Sequence, residues 1–115
     1  MILLAVVFAL RAPAADLNYF DDSSRSEYVD SNGLPYFSEM DSYYNLRLTE
    51  DFVDHGFVGD EMKNGSEWDM HRYAPDGNQI NYELGIVYLT SWLNDVANNS
   101  LGWDMSLKEV AFWAG

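Results

Sequence analysis

The stretch from Tyr82 to Ala97 reads YELGIVYLTSWLNDVA and carries the clearest helical pattern of the chain. Apolar residues recur in it at the three- and four-residue spacing that places them on one face of a helix. Further apolar residues extend that face nearly around the helix and leave only a polar stripe. We therefore predict a helix over residues 82–97 that is buried on most sides. Because a chain of 115 residues has little else to bury it with, neighbouring molecules are expected to cover part of it.

Shorter helices are predicted on both sides of this stretch. Thr49 can cap one that ends at Gly56 or Gly59. Ser106 and Glu109 form a capping-box pattern ahead of the apolar C-terminal residues. Period-two alternation is weak throughout. The predicted fold class is therefore mainly α with long irregular segments and few or no strands, either a small single domain or an extended subunit.

Three segments are predicted along the chain. Residues 1–15 begin with the apolar run Ile2–Leu10, which is typical of an export signal or a docking segment, although no basic residue precedes it. Residues 16–48 form an acidic, aromatic-rich arm with a turn predicted at residues 30–35. Residues 49–115 form a small helical region. No apolar run reaches the roughly 18 residues that a membrane-spanning helix needs.

Charge and composition exclude several classes of function. The chain has 19 acidic and 6 basic residues and a formal net charge of −13. Direct nucleic-acid binding is therefore excluded, because no basic patch can form. The absence of cysteine removes disulfides, thiolate metal sites and cysteine nucleophiles.

Two asparagines, Asn64 and Asn98, match the Asn-x-Ser acceptor pattern for glycosylation. In a chain of this composition two such matches arise readily by chance. Whether they are used is therefore left open.

No pattern in the sequence indicates catalysis or a specific metal site. His55 follows Asp51 by four residues, and His71 lies near Glu67 and Asp69. One imidazole with loosely spaced carboxylates does not fix a coordination geometry, so both histidines are interpreted as surface residues. Nucleophile-elbow and phosphate-loop motifs are absent. We predict that the chain is not an enzyme and has no catalytic residue and no metal site.

The predicted function is that of a non-enzymatic accessory or structural subunit in a larger membrane-associated assembly, of photosynthetic or respiratory type. Lipid contact is predicted at the N-terminus, and the acidic part is placed on an aqueous side such as a lumen. No cofactor is predicted, and pigment contact is expected only within a photosynthetic complex. The predicted partner-binding residues are apolar or aromatic: Ile2, Leu3, Leu4, Val6, Val7, Phe8, Leu10, Tyr36, Phe37, Ile86, Leu89 and Leu93.

Two alternatives remain open. One is a secreted or lumenal binding module whose aromatic residues contact sugar or peptide. The other is an acidic decoy whose carboxylates imitate the phosphates of a nucleic acid.

Overall fold

The structure, a computed structural model, describes Val6, Ala9, Leu17 and residues 20–114. The chain divides into two compact units, Met1–Glu39 and Met40–Gly115. The segment limits predicted between residues 15 and 16 and between residues 48 and 49 remain predictions.

The described part of the first unit contains a short helix, α1, at Asp22–Arg25. The turn predicted at residues 30–35 is confirmed. The Asp30 carboxylate accepts hydrogen bonds from the backbone N–H groups of Asn32 at 2.9 Å and Leu34 at 3.0 Å. Aspartate favours turns because its side chain can bond to the backbone in this way.

The second unit begins with helix α2, which spans Met40–His55, so the helix predicted to begin at Thr49 begins earlier. Thr49 lies inside this helix and is buried, and its hydroxyl donates to the backbone carbonyl of Asn45 at 2.7 Å. A threonine bonded back by four residues is an interior residue of a helix and not a cap. The predicted end is confirmed, because Gly56 has φ of 80° and donates its N–H to Phe52.

Three short strands follow α2: β1 at Glu61–Lys63, β2 at Ser66–Asp69 and β3 at Asn78–Gln79. They form an antiparallel sheet in the order β1-β2-β3. The predicted fold class, mainly α with few or no strands, is therefore wrong. The chain is a small mixed domain of helices and a three-stranded sheet.

The β1–β2 hairpin was missed because its strands are too short for alternation to show. Its signal is the turn Asn64-Gly65, where φ is 53° and 78°. Positive φ at both central residues is what a two-residue hairpin turn requires, and Asn-Gly is the favoured pair.

Helix α3 spans Gly85–Asp95 and continues into a π-helical turn at Val96–Ser100. The helix predicted over residues 82–97 is therefore present with shifted bounds. Within the part of the chain that the structure describes, one side of this helix is buried and the other is exposed. Val87 is 0% and Thr90 3% exposed, whereas Trp92 is 59% exposed. The distribution of apolar residues in this stretch did not predict which side of the helix is buried. The buried side includes Thr90, and the exposed side includes Trp92.

The last helix, α4, spans Leu107–Ala114 and has the predicted capping box. The Glu109 N–H donates to the Ser106 hydroxyl at 3.3 Å. The Ser106 N–H donates to the Glu109 carboxylate at 2.7 Å. This reciprocal pairing satisfies two donors at the start of the helix.

The core of the second unit is formed by residues from α2, α3 and the segments that flank the sheet: Leu48, Val58, Ile80, Leu84 and Val87. Gly59 allows the chain after α2 to lie against β2. Its φ is 87°, and a Cβ there would lie 2.6 Å from the backbone oxygen of Trp68. Only glycine fits this position. Among the described residues, no helix is both long enough and apolar enough to cross a bilayer.

Candidate functional site

A cleft of about 780 Å³, lined by charged and aromatic residues, opens in the second unit. Its walls come from α2, from the turn after β2 and from the segment that precedes α3. The residues that line it are Met40, Asp41, Tyr44, Asn45, Arg47, Asp69, His71, Arg72 and Tyr82.

Arg47, on α2, is the centre of an ion-pair network beside this cleft. Its Nη2 lies 2.7 Å from Oδ2 of Asp69, and its Nη1 lies 3.5 Å from Asp60 and 3.8 Å from Asp51. The Asp69 side chain is 1% exposed. A buried carboxylate needs such charge-assisted partners, because leaving it unpaired is costly. The network therefore ties α2 to β2.

Asp69 also shapes the turn that carries His71 and Arg72 into the wall of the cleft. Its Oδ1 accepts hydrogen bonds from the backbone N–H groups of His71 at 3.0 Å and Arg72 at 3.2 Å. Asp60 supports the same turn, since it accepts from the Met70 N–H at 2.7 Å and lies 3.0 Å from Nδ1 of His71. The turn after β2 is thus held by two carboxylates.

These contacts shift the acidity of the carboxyl groups in opposite directions. Burial opposes ionisation of Asp69, but hydrogen bonds from Tyr44 and Arg47 outweigh it and hold the pKa of Asp69 below 3.8. Burial is also outweighed at Asp60, by the Met70 N–H and by His71, and its pKa is lowered. At Asp51 burial outweighs the attraction of Arg47, and the pKa is raised.

Two tyrosines extend the network along the cleft. The Tyr44 hydroxyl donates to Oδ2 of Asp69 at 2.8 Å and is hydrogen-bonded to the hydroxyl of Tyr82. Because the Tyr44 proton is directed to Asp69, Tyr82 donates to Tyr44. Burial, together with these two neighbours, raises the pKa of Tyr44 well above its usual value of 10. Tyr44 is therefore a neutral phenol at physiological pH.

Arg72 differs from Arg47 because its charge is not neutralised. Its guanidinium carbon lies 5.8 Å from the ring centre of Tyr82 and 5.9 Å from that of Tyr73. Within the described part of the chain, no carboxylate lies within 4.0 Å of it. Two aromatic rings therefore position a guanidinium whose charge is available to a ligand.

Asp60, Asp69 and His71 place potential ligand atoms within 4.8 Å of one another, a spacing that could surround a cation. Arg47 already supplies positive charge there through its contacts with Asp69 and Asp60. The arrangement is therefore that of an ion-pair network. His55 lies apart on α2, with its ring centre 4.1 Å from that of Phe57. That neither histidine builds a specific metal site remains a prediction.

None of the predicted partner-binding residues that the structure describes lines the cleft. In the first unit Val6 is 47% and Tyr36 52% exposed, and Phe37 is half-buried. On α3, Leu89 is exposed, Leu93 is half-buried and Ile86 packs against the core. The others lie outside the described residues: Ile2, Leu3, Leu4, Val7, Phe8 and Leu10.

The residues that build the cleft were not predicted as site residues. One local signal existed, since Arg47 and Asp51 have the spacing of a helical ion pair. The decisive contacts join Tyr44 to Asp69 and to Tyr82, far apart in sequence. No local pattern in a single sequence reports such contacts.

Comparison with known proteins gives consistent matches over nearly the whole chain. A family model described as oligosaccharyl transferase STT3, N-terminal, matches residues 2–115. A dolichyl-phosphooligosaccharide-protein glycotransferase of Methanocaldococcus jannaschii is 30% identical over 119 residues, which cover 98% of this chain and 13% of the relative. A protein of the same name from Methanococcus voltae is 31% identical over 111 residues, which cover 92% of this chain and 12% of the relative.

No solved structure matches the chain. The chain spans about an eighth of the length of these curated relatives.

These matches overturn the predicted function. A photosynthetic or respiratory accessory subunit is wrong, because the matching family is an oligosaccharyl transferase family. The prediction that the protein is not an enzyme is also wrong, because it does not fit the family. The two relatives described above are named glycotransferases. The prediction about cofactors and pigment contact stays a prediction. The coarser predictions, association with a membrane and with a larger assembly, agree with membership of membrane-embedded glycosylation machinery.

Proposed function

This chain belongs to the oligosaccharyl transferase STT3 family, and on that premise we propose that it is part of a glycotransferase that transfers an oligosaccharide from a dolichyl-phospho carrier to a protein. The substrate class is taken from the names of the two relatives. The cleft beside Arg47 is the part of the described chain that we assign to contact with this substrate.

The observation that carries the assignment is the free charge of Arg72. Arg47 is paired with three carboxylates of the network, whereas Arg72 has no carboxylate partner among the described residues. A guanidinium presents paired N–H donors that match the oxygens of a phosphate group. We therefore assign Arg72 to the phosphate of the donor.

His71 is placed to assist Arg72. Its Nδ1 lies 3.0 Å from Asp60, which leaves Nε2 for a ligand. The imidazole and the guanidinium are neighbours on a turn that Asp69 and Asp60 hold. This rigid support favours binding, because the donors need not be ordered when the ligand arrives.

We further propose that the acidic part of the chain lies on the aqueous side of the membrane, within the larger assembly. The net charge of −13 supports this placement, because so many carboxylates need water or cationic partners. The phosphate-bearing head of a dolichyl-linked donor is also the part of that substrate that reaches water.

The test uses the full-length glycotransferase with Arg72→Ala, Arg72→Lys and, as a matched control, Arg25→Ala. Among the described residues, Arg25 forms one ion pair, at 3.9 Å with the exposed Asp22 of the first unit. The measurement is the rate of oligosaccharide transfer to an acceptor peptide at increasing donor concentration. A charged hydrogen-bond pair contributes about 1.5–3 kcal/mol, so Arg72→Ala should raise the KM for the donor roughly 10- to 100-fold.

Arg72→Lys should recover part of this loss because it keeps the charge, and Arg25→Ala should behave as the unaltered enzyme. Equal KM values in the Arg72→Ala variant and the unaltered enzyme would exclude the phosphate assignment. A full-length protein that transfers no oligosaccharide at all would exclude the proposed activity itself.

A further inference from the structure

The two Asn-x-Ser sites of the chain differ in the hydrogen bonding of their asparagine side-chain amides. Modification of asparagine forms a bond at Nδ2, so that atom must be reachable and free to leave its hydrogen-bond partners. The structure gives one site a fully engaged amide and the other an open one.

Asn98 has no free amide hydrogen. Its Nδ2 donates to Oδ1 of Asn94 at 3.0 Å and to the backbone oxygen of Met105 at 2.9 Å. Its Oδ1 accepts from the Met105 N–H at 2.7 Å. An amide nitrogen carries two hydrogens, so both are used. Asn98 closes the loop between the π-helical turn and α4, and its side chain is half-buried.

Asn64 is at the tip of the β1–β2 hairpin and is exposed. Its side chain forms no hydrogen bond with any other described residue. The next residue, Gly65, is surrounded by open space, since a Cβ built on it would meet no atom within 4 Å. The tip therefore has room for a bulky substituent, and Ser66 completes the acceptor pattern at the start of β2.

We propose that Asn64 carries an N-linked glycan and that Asn98 does not. The donor is a glycan linked through phosphate to a lipid. The Nδ2 of Asn64 bonds to the anomeric carbon of the glycan, and the bond from that carbon to the phosphate oxygen breaks. The lipid phosphate leaves with the electron pair, and one amide proton passes to solvent. The inference needs the aqueous placement proposed above but not the assignment of Arg72.

The experiment expresses the full-length protein in a host that glycosylates Asn-x-Ser/Thr sites and maps its peptides by mass spectrometry. Trypsin cleaves after Arg72 and so separates the two sites into different peptides. The peptide with Asn64 should carry the mass of the glycan, and the peptide with Asn98 should not. Asn64→Gln and Ser66→Ala should each abolish the modification.

A matched control places the same pattern in another exposed Asn-Gly turn. Leu34→Thr turns Asn32-Gly33 into an acceptor site in the first unit. Modification of Asn32 in this variant without modification of Asn64 would overturn the inference for the hairpin. A glycan on Asn98 would overturn the argument from its hydrogen bonds. Modification of none of the three would show that the segment is not exposed to the glycosylating side, which also overturns the inference.

Discussion

Arg47 and Asp69 join a helix to a strand through one short ion pair of 2.7 Å. Asp69 is almost wholly buried, and it also holds the backbone of the turn that carries His71 and Arg72. A charge in this position affects both stability and the site. Replacing Asp69 is therefore expected to lower stability and disturb the turn, whereas replacing an exposed carboxylate is not.

At this scale we predict that Asp69→Asn lowers the free energy of unfolding of the second unit by about 3 kcal/mol. The substitution keeps the shape of the side chain but leaves the guanidinium of Arg47 without its closest partner. Urea-dependent hydrogen exchange in the full-length protein measures this at the amides of α2 and β2. Asp76→Asn is the control, because Asp76 is exposed and forms no ion pair with a described residue. Equal losses in the two variants would contradict the role assigned to Asp69.

At the scale of single elements, α3 shows that the position of a side chain matters more than its apolar character. Val87 is fully buried in the core, whereas Leu89, two residues on, is 44% exposed. The energy lost on truncation depends on the atoms removed from a packed interior. The two residues therefore form a matched pair on one helix.

We predict that Val87→Ala costs about 2 kcal/mol of unfolding free energy, while Leu89→Ala costs less than about 1 kcal/mol, although leucine loses more atoms. Hydrogen exchange at the amides of α3 in the full-length protein gives both values. A larger loss from Leu89→Ala would mean that its face is buried by something beyond the described residues.

The elements differ in how far their sequence could predict them. The turn at residues 30–35 and the capping box of Ser106 and Glu109 were predictable, because each depends on side-chain-to-backbone bonds within a few residues. The end of α2 at Gly56 was predictable because glycine tolerates the positive φ with which helices commonly end. The start of α2 was not, because Thr49 has the chemistry of a cap but its hydroxyl bonds back to Asn45. The sheet was missed because β3 has only two residues, Asn78 and Gln79.

The site was less predictable than the fold. Tyr44 lies on α2, Asp69 on β2 and Tyr82 in the segment before α3, and only the folded chain brings their oxygens together. The charges of Arg47 and Arg72 are equal in the sequence, yet one is compensated and the other is not. The enzymatic nature of the family was also hidden, because the chain spans about an eighth of its relatives and we identified no catalytic motif in its sequence.

At the scale of the whole molecule, the acidic network predicts a loss of stability in acid. The pKa values of Asp69 and Asp60 lie below 3.8 in the folded chain, so the unfolded chain takes up protons first as the pH falls. The stability that these groups contribute is present above about pH 4 and is lost as the pH falls through their folded values. Asp51 acts in the opposite sense, because its pKa is raised, and offsets part of the loss.

We therefore expect the free energy of unfolding of the second unit to fall steeply below about pH 4. Asp69→Asn should make that fall shallower, because it removes one of the carboxyl groups whose pKa is lowered in the folded chain. Hydrogen exchange between pH 3 and 7, corrected for the intrinsic rate, provides the measurement. An unchanged slope in the variant would contradict the lowered pKa of Asp69.

Two tryptophans face outward, Trp92 at 59% and Trp103 at 60% exposure. Their intrinsic fluorescence can therefore report on the surroundings of the chain. An indole in water emits at longer wavelength than one covered by lipid or protein. Dissolved iodide quenches the exposed indole but not the covered one. Trp68 and Trp113 are half-buried and provide an internal reference. Phenylalanine replacements would assign each emission band. The emission wavelength of Trp92 would then report, without any added label, whether α3 is in contact with solvent in the full-length protein.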